Sequence, residues 1–205
     1  MCYHKKLQHQ KAAIEQRFKA EFEPNATAFQ PTAHSNGFTF PKDPVITNKD
    51  TKTLHYYQWG LIPAWAKDDS FKQYTLNAKI ETLHEKPSFK NVVNNRCLIP
   101  ADGFYEWQWL DPKGKQKQQY LITLPNEALF AFGGIWSEWV DKTTGEIVHS
   151  YSIVTTAANA LMSKIHNTKK RIPVILSPEN ENNWLNGQSF EAFKTVNLDL
   201  KATPV

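Results

Sequence analysis

The sequence predicts a β-rich α+β fold in a single domain that covers residues 1–205. Short runs rich in Val, Ile, Tyr, Phe and Trp recur along the chain between Gly, Pro, Asn and Asp, and this pattern is typical of strands joined by turns. Few segments carry helical periodicity. No repeat, low-complexity tract or linker interrupts the sequence. A chain of this length can bury a sizeable core in one domain.

The first elements are a helix and a long loop. Residues 10–23 carry apolar side chains at helical spacing, among them Ile14 and Phe18, and Pro24 is expected to end this helix. Residues 24–45 contain four prolines and little periodicity, so a long surface loop is expected there.

A hairpin and a capped helix follow. Residues 45–47 and 53–59 are predicted to pair as strands, with the polar residues 48–50 as their turn. Asn77 is a plausible cap of a short helix, which is a structural alternative to any functional role.

In the second half of the chain, runs of β-prone residues predict strands at 97–99, 120–124, 129–136, 149–156 and 174–176. Hairpin turns are expected at 111–114 and 141–145, because Pro and Gly favour turns there. Short helices are expected at 157–164, 177–185 and from Phe190, with a final extended segment.

Composition narrows the class of protein. Lys and Arg number 24 against 20 Asp and Glu, and this mildly basic balance is compatible with a polyanionic partner. The longest apolar stretches are too short to span a bilayer, and the first residues contain no apolar signal region. Two cysteines do not form a disulfide framework, which favours a reducing, cytoplasmic setting.

Glu106 is the first candidate for chemistry. It follows the apolar run 97–99 and a turn formed by Pro100 and Asp102-Gly103, and aromatic residues flank it on both sides. Aromatic neighbours exclude water and can move the pKa of a carboxyl group toward neutrality, where it serves as acid and base. A strand-edge Glu whose neighbours simply pack is the alternative.

Cys2 and His166 are two further candidates. Removal of Met1 would leave Cys2 with an α-amine of pKa about 8 beside a thiol of pKa about 8.5. Such a 1,2-aminothiol condenses with an aldehyde to give a thiazolidine, although a chance terminal Cys is the simpler explanation. His166 lies beside three cations and could shuttle protons, or could be a solvated loop residue. Residues Cys2, His4 and His9 match no usual zinc spacing, so no metal site is expected.

These features occur in one order along the chain: Cys2; Asn77-Ala78-x-x-Glu81-Thr82; Cys97-x-x-Pro100-Ala101-Asp102-Gly103-Phe104-Tyr105-Glu106-Trp107; and His166-x-x-x-x-Arg171-x-Pro173-Val174-Ile175-Leu176. Together they resemble the SRAP family, the SOS response-associated peptidases that process abasic sites in single-stranded DNA. The segment Trp59-Gly60-Leu61-Ile62-Pro63-x-Trp65 is similar to a further element of that family. The resemblance covers nearly the whole chain and implies strongly bent antiparallel sheets or an open barrel with flanking helices.

The resemblance also implies roles for individual residues. Cys2 would be the nucleophile that cross-links to the ring-opened abasic sugar as a thiazolidine, with associated AP-lyase chemistry. Asn77 would position the sugar or the N-terminal group, and Glu106 would move protons. His166 would assist sugar opening and cross-link reversal. No metal and no cofactor is implied.

The implied partner is single-stranded DNA that contains abasic sites. The protein is expected to be a cytoplasmic monomer without membrane association, recruited to the nucleoid on damage if it is bacterial. The residues expected to contact DNA are basic or aromatic: His4, Trp59, Trp65, Lys79, Trp107, Lys169, Lys170 and Arg171. For Trp59 and Trp65, closing off a core is the alternative.

The sequence departs from the family pattern at several points. His4 stands where relatives have Arg, and Lys79 replaces another Arg, which keeps the charge but loses bidentate geometry. Two other functions stay open: a thiol-dependent autopeptidase, after which the family is labelled, and a non-catalytic module that binds single-stranded DNA. With Met1 alone ahead of Cys2, ordinary aminopeptidase action makes autoproteolysis the weaker alternative.

Overall fold

A computed structural model describes residues 2–24 and 29–205. The strands in this part of the chain are β1 (His4–Leu7), β2 (Glu21–Phe22), β3 (Thr32–Asn36), β4 (Lys42–Thr47), β5 (Thr53–Trp59), β6 (Asn77–Lys79), β7 (Arg96–Ala101), β8 (Gly103–Trp109), β9 (Lys117–Thr123), β10 (Phe130–Val140), β11 (Ile147–Ala157), β12 (Arg171–Pro173), β13 (Ile175–Leu176) and β14 (Lys201–Pro204). The α-helices are α1 (Lys11–Phe18), α2 (Ala160–Ile165) and α3 (Pro178–Leu185). None of these helices has the length and apolar character needed to cross a membrane.

Five strands close into a barrel. Strand β10 pairs with β7 and β11, and β4 pairs with β5 and β7, all antiparallel. A short parallel seam then joins β5 to β11, with Ser150 opposite Gln58 and Tyr151 opposite Trp59. The predicted β-rich α+β fold is confirmed, and of the two arrangements expected, strongly bent sheets or an open barrel, the structure has a barrel, which the seam closes.

A second sheet carries the N-terminus. Its strands run in the order β14-β9-β8-β1-β3, and every neighbouring pair is antiparallel. Strand β1 lies in this sheet beside β8, with His4 opposite Tyr105 and Lys5 opposite Phe104. This register brings Cys2, two residues before β1, toward the strand that carries Glu106.

Two glycines in β10 allow close packing of the barrel wall. A Cβ at Gly133 would lie 3.0 Å from the ring of Trp184, which belongs to α3. A Cβ at Gly134 would lie 2.3 Å from Cδ1 of Ile99 and 2.9 Å from Sγ of Cys97. Since real Cβ contacts are longer, only Gly fits at Gly134 without displacing its neighbours.

Several expected elements differ from the structure. The first helix ends at Phe18, where Lys19 adopts a left-handed φ of 53°, and Glu21–Phe22 then pair with β5 rather than continuing the helix to Pro24. The predicted loop at 24–45 contains β3 and the start of β4, while residues 25–28 of that loop lie outside the described part.

Asn77 is also placed differently from the expectation. It belongs to strand β6, which pairs in parallel with β11, and it is not a helix cap. The side-chain amide of Asn77 is therefore available for another partner.

A buried ion pair joins the two sheets. Nζ of Lys5 in β1 lies 2.8 Å from Oδ1 of Asp43 in β4, and the Lys5 side chain is 2% exposed. The hydroxyl of Tyr151 in β11 donates to Oδ2 of the same carboxylate at 2.6 Å. Burial of two charges is costly, and it is offset here because the charges are paired and the carboxylate accepts a further hydrogen bond.

We expect Lys5→Met to lower the free energy of unfolding by about 3–5 kcal/mol, because the Asp43 carboxylate would stay buried without its cation. The double variant Lys5→Met/Asp43→Asn should recover much of that loss, since no buried charge is left. Chemical denaturation measures both values. The control is Lys11→Met, which removes an exposed pair with Glu15 and should change stability by less than about 1 kcal/mol. Equal losses in the single and double variants would contradict the explanation.

Candidate active site

Cys2 lies at the centre of the candidate site. Its side chain is completely buried, and Sγ lies 3.7 Å from the carbonyl oxygen of His4. Nδ2 of Asn77 donates to the carbonyl oxygen of Cys2 at 2.8 Å. Within the described part of the chain Oδ1 of Asn77 is buried and has no hydrogen-bond partner. Nδ2 of Asn77 thus fixes the backbone of Cys2, while Oδ1 is a hydrogen-bond acceptor that a ligand could use.

Glu106 points inward from β8. The side-chain alternation of a strand turns Tyr105 and Trp107 to the opposite face, where they are half-buried, and leaves Glu106 only 4% exposed. Burial raises the pKa of Glu106 to about 7. Burial likewise raises the pKa of the Cys2 thiol to about 12, and the negative charge of Glu106 adds to that rise. The two groups therefore influence each other's ionisation.

His166 follows helix α2. Its backbone N–H donates to the carbonyl of Met162 at 2.8 Å, and its Nδ1 lies 3.0 Å from the carbonyl oxygen and 3.2 Å from the backbone N of Arg171. Burial, with a smaller contribution from the positive charges of Lys169 and Arg171, lowers the pKa of His166 to about 4. The imidazole is therefore neutral at pH 7.

A cavity of about 240 Å³ joins Glu106 to His166. We refer to it as the catalytic cavity; it is lined by Tyr3, Glu106, Trp107, Trp109, Lys117, His166, Thr168 and Lys169. The sequence reasoning did not identify Tyr3, Trp109, Lys117 or Thr168. The position of Trp109, two residues after Trp107 and so on the same face of strand β8, was the available signal for one of them.

Asn77 lines a second cavity. Its volume is about 530 Å³, and Asn77, Lys79, Tyr74, Lys86 and Phe89 are among its lining residues. We call it the Asn77 cavity. The ring of Tyr74 is 76% exposed, so an aromatic surface and two cations border a space next to the residue that holds Cys2.

The comparison with protein families agrees with this arrangement. The model of the family "SOS response associated peptidase (SRAP)" matches residues 1–204. The chain belongs to this family.

Among curated SRAP relatives, "Abasic site processing protein YoqW" of Bacillus subtilis is 46% identical over 143 residues, which are 69% of this chain and 61% of that protein. "Abasic site processing protein HMCES" of Xenopus tropicalis is 31% identical over 169 residues, covering 71% of this chain and 48% of the relative. The chain thus spans about three fifths or less of the length of these relatives.

Solved structures support the fold. A crystal structure of a protein from Bacteroides thetaiotaomicron matches with a TM-score of 0.90 and 31% identity, covering 100% of this chain and 92% of that one. A crystal structure of a protein from Bordetella bronchiseptica matches with a TM-score of 0.81 at 22% identity, and covers 100% of this chain and 99% of that one. The SRAP fold is therefore present over the full length of the chain.

Of the predicted DNA-contacting residues, Trp59 is placed where it cannot meet DNA. Its side chain is fully buried, Nε1 donates to the carbonyl of Leu76 at 2.9 Å, and its ring stacks on Tyr151. The prediction of base stacking by Trp59 is wrong, and the core-closing alternative is correct. Composition could not separate the two, because both require a large aromatic ring.

The guanidinium of Arg171, a predicted DNA contact, is hydrogen-bonded to groups of the protein itself. It makes a bidentate pair with Glu81, at 2.7 and 2.8 Å, and a 2.6 Å hydrogen bond to the carbonyl of Thr155. The side chain is 13% exposed. Arg171 therefore acts first as a structural link that fixes the strand after His166.

The other predicted residues lie on the surface around the two cavities. The ring of His4 packs edge-on against Trp107 at 4.8 Å, and its Nδ1 lies 2.9 Å from Nε2 of His34. Trp65 is 48% exposed and packs edge-on against Phe71, a residue of the Asn77 cavity. Three exposed lysines complete the set: Lys79, Lys169 and Lys170.

The N-terminal histidines His4 and His9 have separate side-chain partners. His9 approaches Asp102 at 2.9 Å, whereas His4 approaches His34. Within residues 2–24 and 29–205, no group of three or more His, Cys, Asp or Glu side chains is arranged to hold a metal ion.

Because the pKa of Glu106 is raised, the stability difference between wild type and a Glu106→Gln variant is expected to depend on pH. The folded protein binds this proton more tightly than the unfolded chain, where the pKa is 4.5. The contribution of this bound proton to the free energy of unfolding has its full value below pH 4.5 and is lost as pH rises through 7. We expect Glu106→Gln to match wild type near pH 4.5 and to be more stable above pH 7, by up to about 3 kcal/mol.

Chemical denaturation at several pH values tests this expectation, with Glu85→Gln at an exposed position as the control. A constant difference between Glu106→Gln and wild type from acid to alkaline pH would refute it.

Proposed function

We propose that this chain processes abasic sites in single-stranded DNA by forming a thiazolidine cross-link through Cys2. The observation that carries the proposal is the juxtaposition of buried Cys2 with a carboxyl group whose pKa is about 7. Membership of the SRAP family supports it, as do relatives named abasic site processing proteins.

The reaction balances without a metal or redox partner. After removal of Met1, the α-amine of Cys2 attacks the aldehyde carbon of the ring-opened abasic sugar and gives a carbinolamine. Loss of one water forms the imine. The Cys2 sulfur then bonds to the imine carbon, while the imine nitrogen gains a proton and the thiol loses one. The product is a five-membered thiazolidine ring.

Glu106 suits the proton transfers. A pKa of about 7 lets one carboxyl group protonate the departing hydroxyl and then, as the carboxylate, accept the thiol proton. This acceptor compensates for the high pKa of the buried thiol, which would otherwise stay protonated at neutral pH. Asn77 fixes the Cys2 carbonyl and so directs the amine and thiol toward one carbon.

His166 suits sugar opening. Because its pKa is about 4, the imidazole is a neutral base at pH 7 that can accept the proton of the sugar hydroxyl. The same residue would return the proton when the cross-link reverses. The imine also acidifies the carbon next to it, which accounts for AP-lyase chemistry as a side reaction.

The proposed path for DNA crosses both cavities. The Asn77 cavity offers Lys79 and Tyr74, and the catalytic cavity offers Trp107 and Lys169. Stacking on exposed rings requires unstacked bases, which favours a single strand over a duplex. The proposed setting is the cytoplasm, at the nucleoid after damage if the protein is bacterial, with the protein acting as a monomer.

We expect wild type to form a heat-stable adduct with a single strand that bears one abasic site, seen by denaturing gel electrophoresis, and no adduct with the intact strand. Cys2→Ala should abolish it. Cys97→Ala is the matched control, because Cys97 is also fully buried but lies in strand β7. Adduct in Cys2→Ala would remove Cys2 from the mechanism. Loss of adduct with retained DNA binding is the result that separates catalysis from a plain binding module.

Lys79→Glu should weaken non-covalent binding to abasic single strands and reduce the salt dependence of the dissociation constant. Each lost phosphate contact lowers the slope of log K against log salt by about 0.7 for a single strand. The control is Lys201→Glu, at an exposed position in β14. An unchanged slope in Lys79→Glu would mean that Lys79 does not touch the phosphates.

A further inference from the structure

A third cavity adjoins the catalytic one. Its volume is about 500 Å³, and its lining consists of Trp109, Leu110, Asp111, Pro112, Asn167 and Thr168. Two of these residues, Trp109 and Thr168, also line the catalytic cavity. The two spaces are therefore neighbours, with Trp109 and Thr168 as their common wall.

The shared wall is held in place from several directions. The Asn167 side chain accepts from the backbone N–H of Trp109 at 3.1 Å and donates to the Trp109 carbonyl at 2.8 Å, as a neighbouring strand would. Gly114, with φ of 65°, packs so closely that a Cβ would lie 2.6 Å from the indole ring. Nζ of Lys117 lies 5.2 Å from the ring centroid. Trp109 is thus positioned before any ligand arrives.

The chemistry of the third cavity fits a nucleotide. Trp109, Pro112 and Leu110, which is 58% exposed, provide an apolar and aromatic surface for a base. Lys117 and Lys169 are exposed where the two cavities meet and can bind phosphate.

The carboxylate in this cavity is already engaged. The oxygens of Asp111 accept hydrogen bonds from the backbone N–H groups of Lys113 and Gln116 within the β8–β9 turn. These bonds lower the pKa of Asp111 and direct its charge toward the turn. The apolar wall and the two cations, rather than this anion, therefore define what the cavity can bind.

We propose that the third cavity is a subsite for the nucleotide that adjoins the abasic one in the same strand, with Trp109 and Leu110 contacting its base. This inference rests on the proposed function and adds a recognition element outside the reacting sugar. With this subsite, the rate of cross-link formation depends on the presence of a base on one particular side of the abasic site.

The test uses two single strands with 2-aminopurine, whose fluorescence is quenched by contact with an aromatic ring, placed 5′ to the abasic site in one and 3′ in the other. Cys2→Ala protein keeps the complexes non-covalent. We expect quenching on binding for one of the two strands. In Cys2→Ala/Trp109→Leu the quenching should disappear and affinity should fall about fivefold to a hundredfold, as for loss of one base–aromatic contact.

A second pair of variants avoids dependence on the fold around Trp109. Leu110→Asp alters an exposed position in the subsite and should weaken binding in the same way. Ile147→Asp is its matched control, since Ile147 is 56% exposed in β11 and lines none of the three cavities, and binding should stay as in Cys2→Ala protein. Equal quenching with and without Trp109, or equal effects of Leu110→Asp and Ile147→Asp, would overturn the subsite.

The covalent assay separates the two proposals. If wild type cross-links the same strands but neither shows quenching in Cys2→Ala protein, the subsite is wrong and the proposed function stands. If wild type forms no adduct with either strand, the proposed function fails and the subsite is lost with it.

Discussion

The structure of the site depends on the buried charge pair between Lys5 and Asp43. It ties β1, which begins two residues after Cys2, to the barrel strand β4, and the hydroxyl of Tyr151 extends the link to β11. An ion pair in an apolar interior tolerates little displacement, because each charge loses its compensation when the other moves. Cys2 is therefore held at a fixed depth between the two sheets, although it lies almost at the end of the chain.

Around this anchor, burial determines the reactivity of each group. The same loss of solvent raises the pKa of the Cys2 thiol and of Glu106 and lowers that of His166, so all three are neutral or close to their proton-exchange point at pH 7. Their pKa values, about 12, about 7 and about 4, leave Glu106 as the one of the three that changes protonation near pH 7. Lys79 and Lys169 lie at exposed positions around the cavities.

Much of this arrangement could be predicted from local sequence. The fold class followed from strand and turn patterns. Glu106 is buried as expected, but through the alternation of strand β8 rather than through its aromatic neighbours, which face the other side of the strand. Local sequence could not predict which residues far apart in the chain contact each other. Trp59 and Trp65 are similar in sequence context, yet one is closed inside the barrel and the other is exposed. Arg171 was expected at DNA, but Glu81, far away in the chain, occupies its guanidinium.

The parallel seam of the barrel also bears on how the protein is made. It joins β5 to β11, and strands β10, β7 and β4 must be in place between them, so closure needs contacts between distant parts of the chain. Such contacts form late, because distant segments must first lose conformational freedom. During synthesis, a ribosome-bound chain that ends before β11 has no seam, no Tyr151 and no His166. The arrangement of Cys2, Glu106 and His166 is thus assembled only after the residues up to His166 have emerged, which couples formation of the candidate site to closure of the barrel.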